Sequence, residues 1–223
     1  MAEIFKGKRL SILGDSISTY QGVSNDSSVN STLLYNPSFY RSPFSLEKTY
    51  WMILINELEM KLCVNNSWSG GNLSGIGDPD SGVNRAHQLS TDSGEKPDFV
   101  IVFMGINDLG RNVPVDRFAS DYERTLAIIK SNAPDVKVCC VNLPDRYEDL
   151  KYRTELFNKA ISDAVANAGE DFFVADLFCS RLNNDFYYLN TVDGLHPDED
   201  GARIIAEVVL DSFRGFAEEK SGT

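Results

Sequence analysis

Short apolar runs punctuate the chain at intervals. Arg9-Leu10-Ser11-Ile12-Leu13, Leu62-Cys63-Val64-Asn65, Asp98 to Met104, Val136 to Val141 and Phe172 to Ala175 are followed by Gly, Asn or Asp. That is the pattern of strands buried within a sheet. Between them the apolar positions change to helical spacing. Trp51, Leu54, Ile55, Leu58 and Leu62 predict a helix over Ser45–Lys61, with Ser45 as its cap and Lys48 where a capping-box acid would sit. Asn84–Leu89 reads as a short helix. Phe118, Tyr122, Leu126 and Ile129 predict a helix over Val115–Asn132 that ends before Pro134-Asp135. Leu156, Ile161 and Val165 predict another over Tyr147–Ala168, stopped at Gly169. Ile204, Ile205, Val208 and Val209 predict a last helix from about Asp198 to Phe216.

Strand and helix therefore alternate along the whole length. This predicts an α/β fold: one domain over residues 1–223, with a parallel sheet of about five strands and helices on both faces. One segment breaks the rhythm. Tyr20 to Thr49 has no period and is rich in Ser and Asn, yet holds Tyr20, Tyr35, Phe39, Tyr40 and Phe44. A loop of this length is usually functional. It reads both as a wall over a site and as a loop pinned by its own aromatic rings.

Composition narrows the partners. A 42% hydrophobic and 24% charged content is that of a folded globular chain. The net charge of −12 argues against nucleic acid and anionic membrane surfaces. No apolar run is long enough to cross a bilayer, and residues 1–8 are charged with no apolar h-region, which predicts no signal peptide and a cytoplasmic location. Cys63, Cys139, Cys140 and Cys179 lack metal-ligand spacing and read as buried free thiols in a reducing compartment. The sequence leaves the oligomeric state open, a homo-oligomer included.

The candidate chemistry sits where the runs end. Gly14-Asp15-Ser16 leaves the first strand, which places a hydroxyl at the carboxyl edge of the sheet, where open α/β folds bind ligands. Gly14 suits a sharp change of backbone direction. A serine nucleophile needs a base and an oxyanion site. The chain has two histidines, His87 and His196, and only His196 has an acid at a matching spacing, in Asp193-Gly194-Leu195-His196-Pro197. One turn can hold the Asp193 carboxylate on one ring nitrogen while the other faces Ser16. His87 reads as a surface residue. Candidate oxyanion donors are the N–H of Ser16, the N–H of Gly70 and the side-chain amide of Asn107. Asp15 reads as structural, bonding nearby amides, and Asp108 as the cap of a turn.

Gly14-Asp15-Ser16, Ser69-Gly70, Gly105-Ile106-Asn107-Asp108 and Asp193-Gly194-Leu195-His196-Pro197, in that order, resemble the four sequence blocks of the SGNH hydrolases, also called GDSL esterases/lipases. Ile17 stands where the family's name has Leu. The common α/β-hydrolase elbow G-x-S-x-G is a poorer match, because its last position is Ser18 here. The resemblance implies a flavodoxin-like three-layer α/β/α sandwich and serine ester hydrolysis. It also implies Ser16 as nucleophile, His196 as base, Asp193 as its orienting acid, and Gly70 and Asn107 as oxyanion donors, with Gly71 as the alternative to Gly70 because the second block reads Ser69-Gly70-Gly71. No metal and no organic cofactor is implied. The expected substrate is a small-molecule ester, first a short acyl group such as acetyl on a carbohydrate. The alternatives are a lysophospholipase or fatty-acyl esterase, or a catalytically silent carbohydrate-binding protein on the same scaffold.

Overall fold

The five apolar runs pair into one sheet in the computed structural model of the chain, which describes residues 4–20, 22–24, 45–145, 150–180 and 190–222. The strands are β1 (Arg9–Gly14), β2 (Lys61–Ser67), β3 (Phe99–Phe103), β4 (Lys137–Val141) and β5 (Phe172–Ala175). They lie in the order β2-β1-β3-β4-β5, every neighbouring pair parallel. All of β3, Phe-Val-Ile-Val-Phe, is buried, as a strand covered on both faces requires. β1 runs beside it with Leu10 opposite Phe99 and Gly14 opposite Phe103, so the two strands end level.

The helices are α1 (Tyr50–Glu57), α2 (Gly82–Arg85), α3 (Ile106–Gly110), α4 (Val115–Asn132), α5 (Lys151–Ala168) and α6 (Glu199–Ser221). They form two layers. α1 packs on α6, and α6 on β4 and β5, while α4 packs on α2 and α5. Aromatic rings pack one layer on the sheet and join the helices of the other. Phe99 meets Phe213 of α6 with centroids 5.4 Å apart, and Phe118 of α4 stacks on Phe157 of α5 at 4.4 Å. This is the three-layer sandwich that the alternation predicts.

The first helix departs from expectation. Ser45 makes no side-chain cap bond; it precedes a single 3-10 turn, Leu46–Lys48. The α-helix begins only at Tyr50, where the Thr49 hydroxyl accepts the Met52 N–H at 3.3 Å. Its buried face is Tyr50, Trp51, Leu54 and Ile55, so the segment before Thr49 has no apolar stripe to hold it helical. The chain turns through Glu59 at φ 50 and is already in β2 at Lys61. α2 starts two residues earlier than Asn84 and stops at Arg85. Tyr147 and the aromatic positions Tyr35, Phe39, Tyr40 and Phe44 lie outside the described residues.

All four cysteines are free, but only Cys139 and Cys140 of β4 are buried. Cys63 is half-buried because β2 is an edge strand, and Cys179 is exposed in the turn after β5. None of the described helices is long and apolar enough to cross a membrane.

Candidate active site

Strand order fixes where a site can form. β1 connects outward to β2, and the chain then crosses back to β3 on the other side of β1. Neighbouring strands whose connections leave in opposite directions open a crevice at their carboxyl ends, here between β1 and β3. Ser16 follows β1 and Asn107 follows β3, so both stand at that crevice.

The chain after β1 makes one 3-10 turn, Ser16–Ser18. Asp15 caps it, its Oδ1 accepting the Ile17 N–H at 3.0 Å, as its structural reading requires. The Ser16 carbonyl accepts from the Thr19 N–H and from the Thr19 hydroxyl at 2.9 Å. Asn65 donates to the Ser18 carbonyl at 2.9 Å, and the Ser18 and Tyr50 hydroxyls bond at 2.8 Å. Gly14 is needed for a reason the sequence does not give. Its backbone is not in the left-handed region; instead a Cβ there would stand 2.5 Å from Ser67 Oγ and 2.6 Å from Ser18 Cβ. Glycine lets β1 pass this close to β2 and to the serine turn.

At the far end of the chain, Asn190 to Asp198 folds back on itself. Val192 N–H donates to the His196 carbonyl at 2.9 Å and Asp198 N–H to the Asn190 carbonyl at 3.0 Å. Asp193 Oδ1 accepts the N–H groups of Leu195 (2.9 Å) and His196 (2.8 Å). Its Oδ2 lies 2.7 Å from His196 Nδ1, and His196 Nε2 lies 2.9 Å from Ser16 Oγ. The serine and the imidazole are 180 residues apart in sequence, and both are buried. Burial works against the Asp193 charge. The N–H of His196, its ring and the N–H of Leu195 outweigh that, holding the carboxyl below its ordinary range. Asp198 then caps α6 through the Gly201 N–H at 2.9 Å. A Cβ on Gly201 would collide with the Asn190 carbonyl, so α6 can dock against the histidine turn only with glycine there.

The third wall is the loop after β2. Gly70 has φ +72, and among the described residues no acceptor takes its N–H. Gly71 N–H is engaged in a turn bond to the Trp68 carbonyl at 3.1 Å. Of the two glycines, Gly70 is thus the one with a donor to offer. The Ser16 N–H is likewise without an acceptor among the described residues. Asn107 gives one amide hydrogen to the Gly71 carbonyl at 3.0 Å, and the other meets no acceptor among the described residues. Asp108 does not cap its own turn. It is fully buried and accepts the N–H groups of Leu73 (2.7 Å) and Ser74 (2.9 Å), tying this loop to α3.

Two groups have no signature in the sequence. Arg85 is a buried guanidinium behind the serine turn, donating to the carbonyls of Asp80 (2.9 Å), Asn66 (2.6 Å) and Gly14 (3.1 Å). Arg111, at the end of α3, donates to the Gly70 carbonyl. Lone arginines in turn-rich segments carry no spacing signal, so only the fold identifies them. His87 is exposed, its surface reading borne out.

Burial pushes the Asp15 carboxyl up to about 7, with the Ile17 N–H opposing the shift and the Asp108 charge adding to it. A carboxyl raised in the fold makes its full contribution to stability below the ordinary carboxylate range. The contribution falls as the pH rises through about 7, because the unfolded chain ionises first. Asp15→Asn keeps an oxygen for the Ile17 N–H and removes the charge. The wild-type chain is therefore expected to lose stability relative to Asp15→Asn between roughly pH 4 and 7, and to track it above that. Urea midpoints across that range measure the difference.

No protein of curated function matches the chain in sequence. Solved structures do share its fold. A protein of Bacteroides ovatus described as a GDSL-like lipase is 22% identical, with a TM-score of 0.73 over 94% of this chain and 99% of that one. A psychrotrophic esterase of Pseudoalteromonas sp., inhibited by monoethylphosphonate, is 17% identical, with a TM-score of 0.66 over 95% and 99%. A carbohydrate esterase of family 2 from Corynascus thermopiles, which carries a carbohydrate binding domain, is 17% identical, with a TM-score of 0.65 over 96% and 68%. The sequence model of the GDSL-like lipases/acylhydrolases matches residues 8–213, nearly the whole chain. With the serine of its first block and the histidine of its last meeting at one crevice, the chain belongs to the GDSL-like lipase/acylhydrolase family and is an ester hydrolase.

Proposed function

We propose that Ser16 attacks the ester carbonyl and that the reaction passes through an acyl-enzyme. The observation that carries this reading is the chain of contacts from Asp193 Oδ2 to His196 Nδ1 (2.7 Å) and from His196 Nε2 to Ser16 Oγ (2.9 Å). The Asp193 carboxylate keeps the ring proton on Nδ1, which leaves Nε2 to accept the serine proton. As Oγ bonds to the carbonyl carbon, negative charge gathers on the former carbonyl oxygen. The N–H groups of Ser16 and Gly70 and the spare amide hydrogen of Asn107 are the donors for it. His196 returns the proton to the departing alcohol. Water then attacks the acyl-serine with His196 again taking the proton, and the acid leaves with Ser16 restored.

The substrate we infer is a short acyl ester, acetyl first, on a carbohydrate. The fold shared with a family 2 carbohydrate esterase supports this. So does Tyr152, a residue 73% exposed on the first turn of α5, at the carboxyl edge of the sheet, where a sugar face can stack. The four free thiols fit a reducing compartment, and the cytoplasm is the location we assign. A panel of acetylated sugars together with aryl esters of increasing acyl length tests the assignment. We expect kcat/KM to be highest for acetyl and to fall as the chain lengthens. A preference for long acyl chains would point to a fatty-acyl or lysophospholipid esterase instead. Binding of sugars with no turnover of any ester would contradict the catalytic reading altogether.

A further inference from the structure

We propose that Arg111 is the positioning residue of the oxyanion site. It holds the Gly70 peptide so that the neighbouring N–H stays aimed at the reacting oxygen. The proposal rests on the serine-esterase reading above.

Loop 70–74 is held to its surroundings group by group. Arg111 Nη1 donates to the Gly70 carbonyl at 2.7 Å and to Asn72 Oδ1 at 2.6 Å. Asn107 holds the Gly71 carbonyl at 3.0 Å. The N–H groups of Gly82 (2.8 Å) and Val83 (3.0 Å) hold the carbonyls of Asn72 and Leu73. Asp108 takes the N–H groups of Leu73 and Ser74. Gly71 N–H closes on Trp68. The Gly70 N–H, like that of Asn72, has no acceptor among the described residues.

Gly70 and Gly71 are the two most pliable positions in that loop, and Gly70 is in the left-handed region. A peptide between two glycines can swing unless both its ends are held. Trp68 holds the N–H end of the 70–71 peptide, and Arg111 holds its oxygen. Arg111 also lies one helical turn beyond Asn107, its own N–H bonding the Asn107 carbonyl at 2.9 Å. One short helix therefore both offers the Asn107 donor and aligns the Gly70 donor. Arg111 is exposed, and the loop keeps its other anchors without it, so the fold does not depend on it.

The test is Arg111→Met and Arg111→Lys in the full chain, assayed on an acetyl ester. For Arg111→Met, kcat is expected to fall about 10- to 100-fold, the cost of a misaligned oxyanion donor, with KM little changed. Labelling by a phosphonate, whose adduct places an oxygen in the same site, is expected to slow by a similar factor. The pH profile keeps its shape, and the thermal midpoint moves by no more than about 2 °C. Arg111→Lys recovers part of kcat, since an ammonium can still reach the Gly70 carbonyl. An unchanged kcat and labelling rate would overturn the proposal, as would a rise in KM alone, which would make Arg111 a substrate-binding group. So would a large fall in midpoint in both variants. If Ser16→Ala retained activity, the underlying reading would fail instead; with Ser16→Ala inactive and Arg111→Met unaffected, only the role of Arg111 falls.

Discussion

Ser16→Ala is expected to abolish ester hydrolysis and to leave the fold as it is. The substitution deletes one oxygen, whose partner is His196 Nε2. Everything that shapes the turn is backbone or belongs to neighbours: the Asp15 cap on Ile17, the Thr19 bonds to the Ser16 carbonyl, and the Asn65 bond to the Ser18 carbonyl. The turn therefore persists, and the Ser16 N–H remains to bind an oxyanion. Without the hydroxyl there is no acyl-enzyme, and water is not held where Oγ stood. Losing the nucleophile of such a triad costs about six orders of magnitude in kcat, the residue of activity coming from the oxyanion donors alone. Turnover of an acetyl ester, read beside a thermal midpoint within about 2 °C of the parent, checks both halves of the expectation. A variant that keeps a tenth or more of the activity contradicts the mechanism.

Asp193→Asn is expected to have the next largest effect, and by a different route. The amide oxygen can go on accepting from the N–H groups of Leu195 and His196, so the histidine turn keeps its shape. The amide nitrogen then faces His196 Nδ1 in place of Oδ2. An NH2 group can only donate there, which puts the ring proton on Nε2, the atom that must accept from Ser16. The base is present, correctly placed and in the wrong tautomer. The expected loss in kcat is roughly 10³–10⁴-fold, with substrate binding little changed. In the parent, activity is expected to fall at acid pH, since a base must be unprotonated to accept the serine proton. Asp193 itself stays ionised there, because its bonds to His196 and Leu195 hold its carboxyl low. A Asp193→Asn variant with undiminished kcat would show that the carboxylate neither orients nor charges the histidine.

The strands and the long helices were legible because each is written in its own residues. Val115–Asn132 and Phe172–Ala175 match the expected bounds, since an apolar stripe and an apolar run need no partner to be recognised. The Ser45–Lys61 helix was misjudged because its start depends on which hydroxyl caps it, and Thr49 rather than Ser45 does so. Ser16, Asp193 and His196 could be named from their local motifs, and the fold brings them within bonding distance of one another. What the sequence withheld were groups that act on distant backbone. Asp108 resembles a turn cap and is instead the anchor of Leu73 and Ser74, while Arg85 and Arg111 look like any surface arginine. Their partners are carbonyls and amides, which every residue carries, so no pattern of residue types could point to them.

The central claim is that the Ser16 oxygen forms the covalent bond. Its most direct test is reaction of the protein with a phosphonate ester, followed by intact-mass measurement and peptide mapping. The account predicts one adduct, on the peptide that carries Ser16, formed in step with the loss of esterase activity. An adduct on another residue, or no adduct in a protein that still turns over esters, would contradict it.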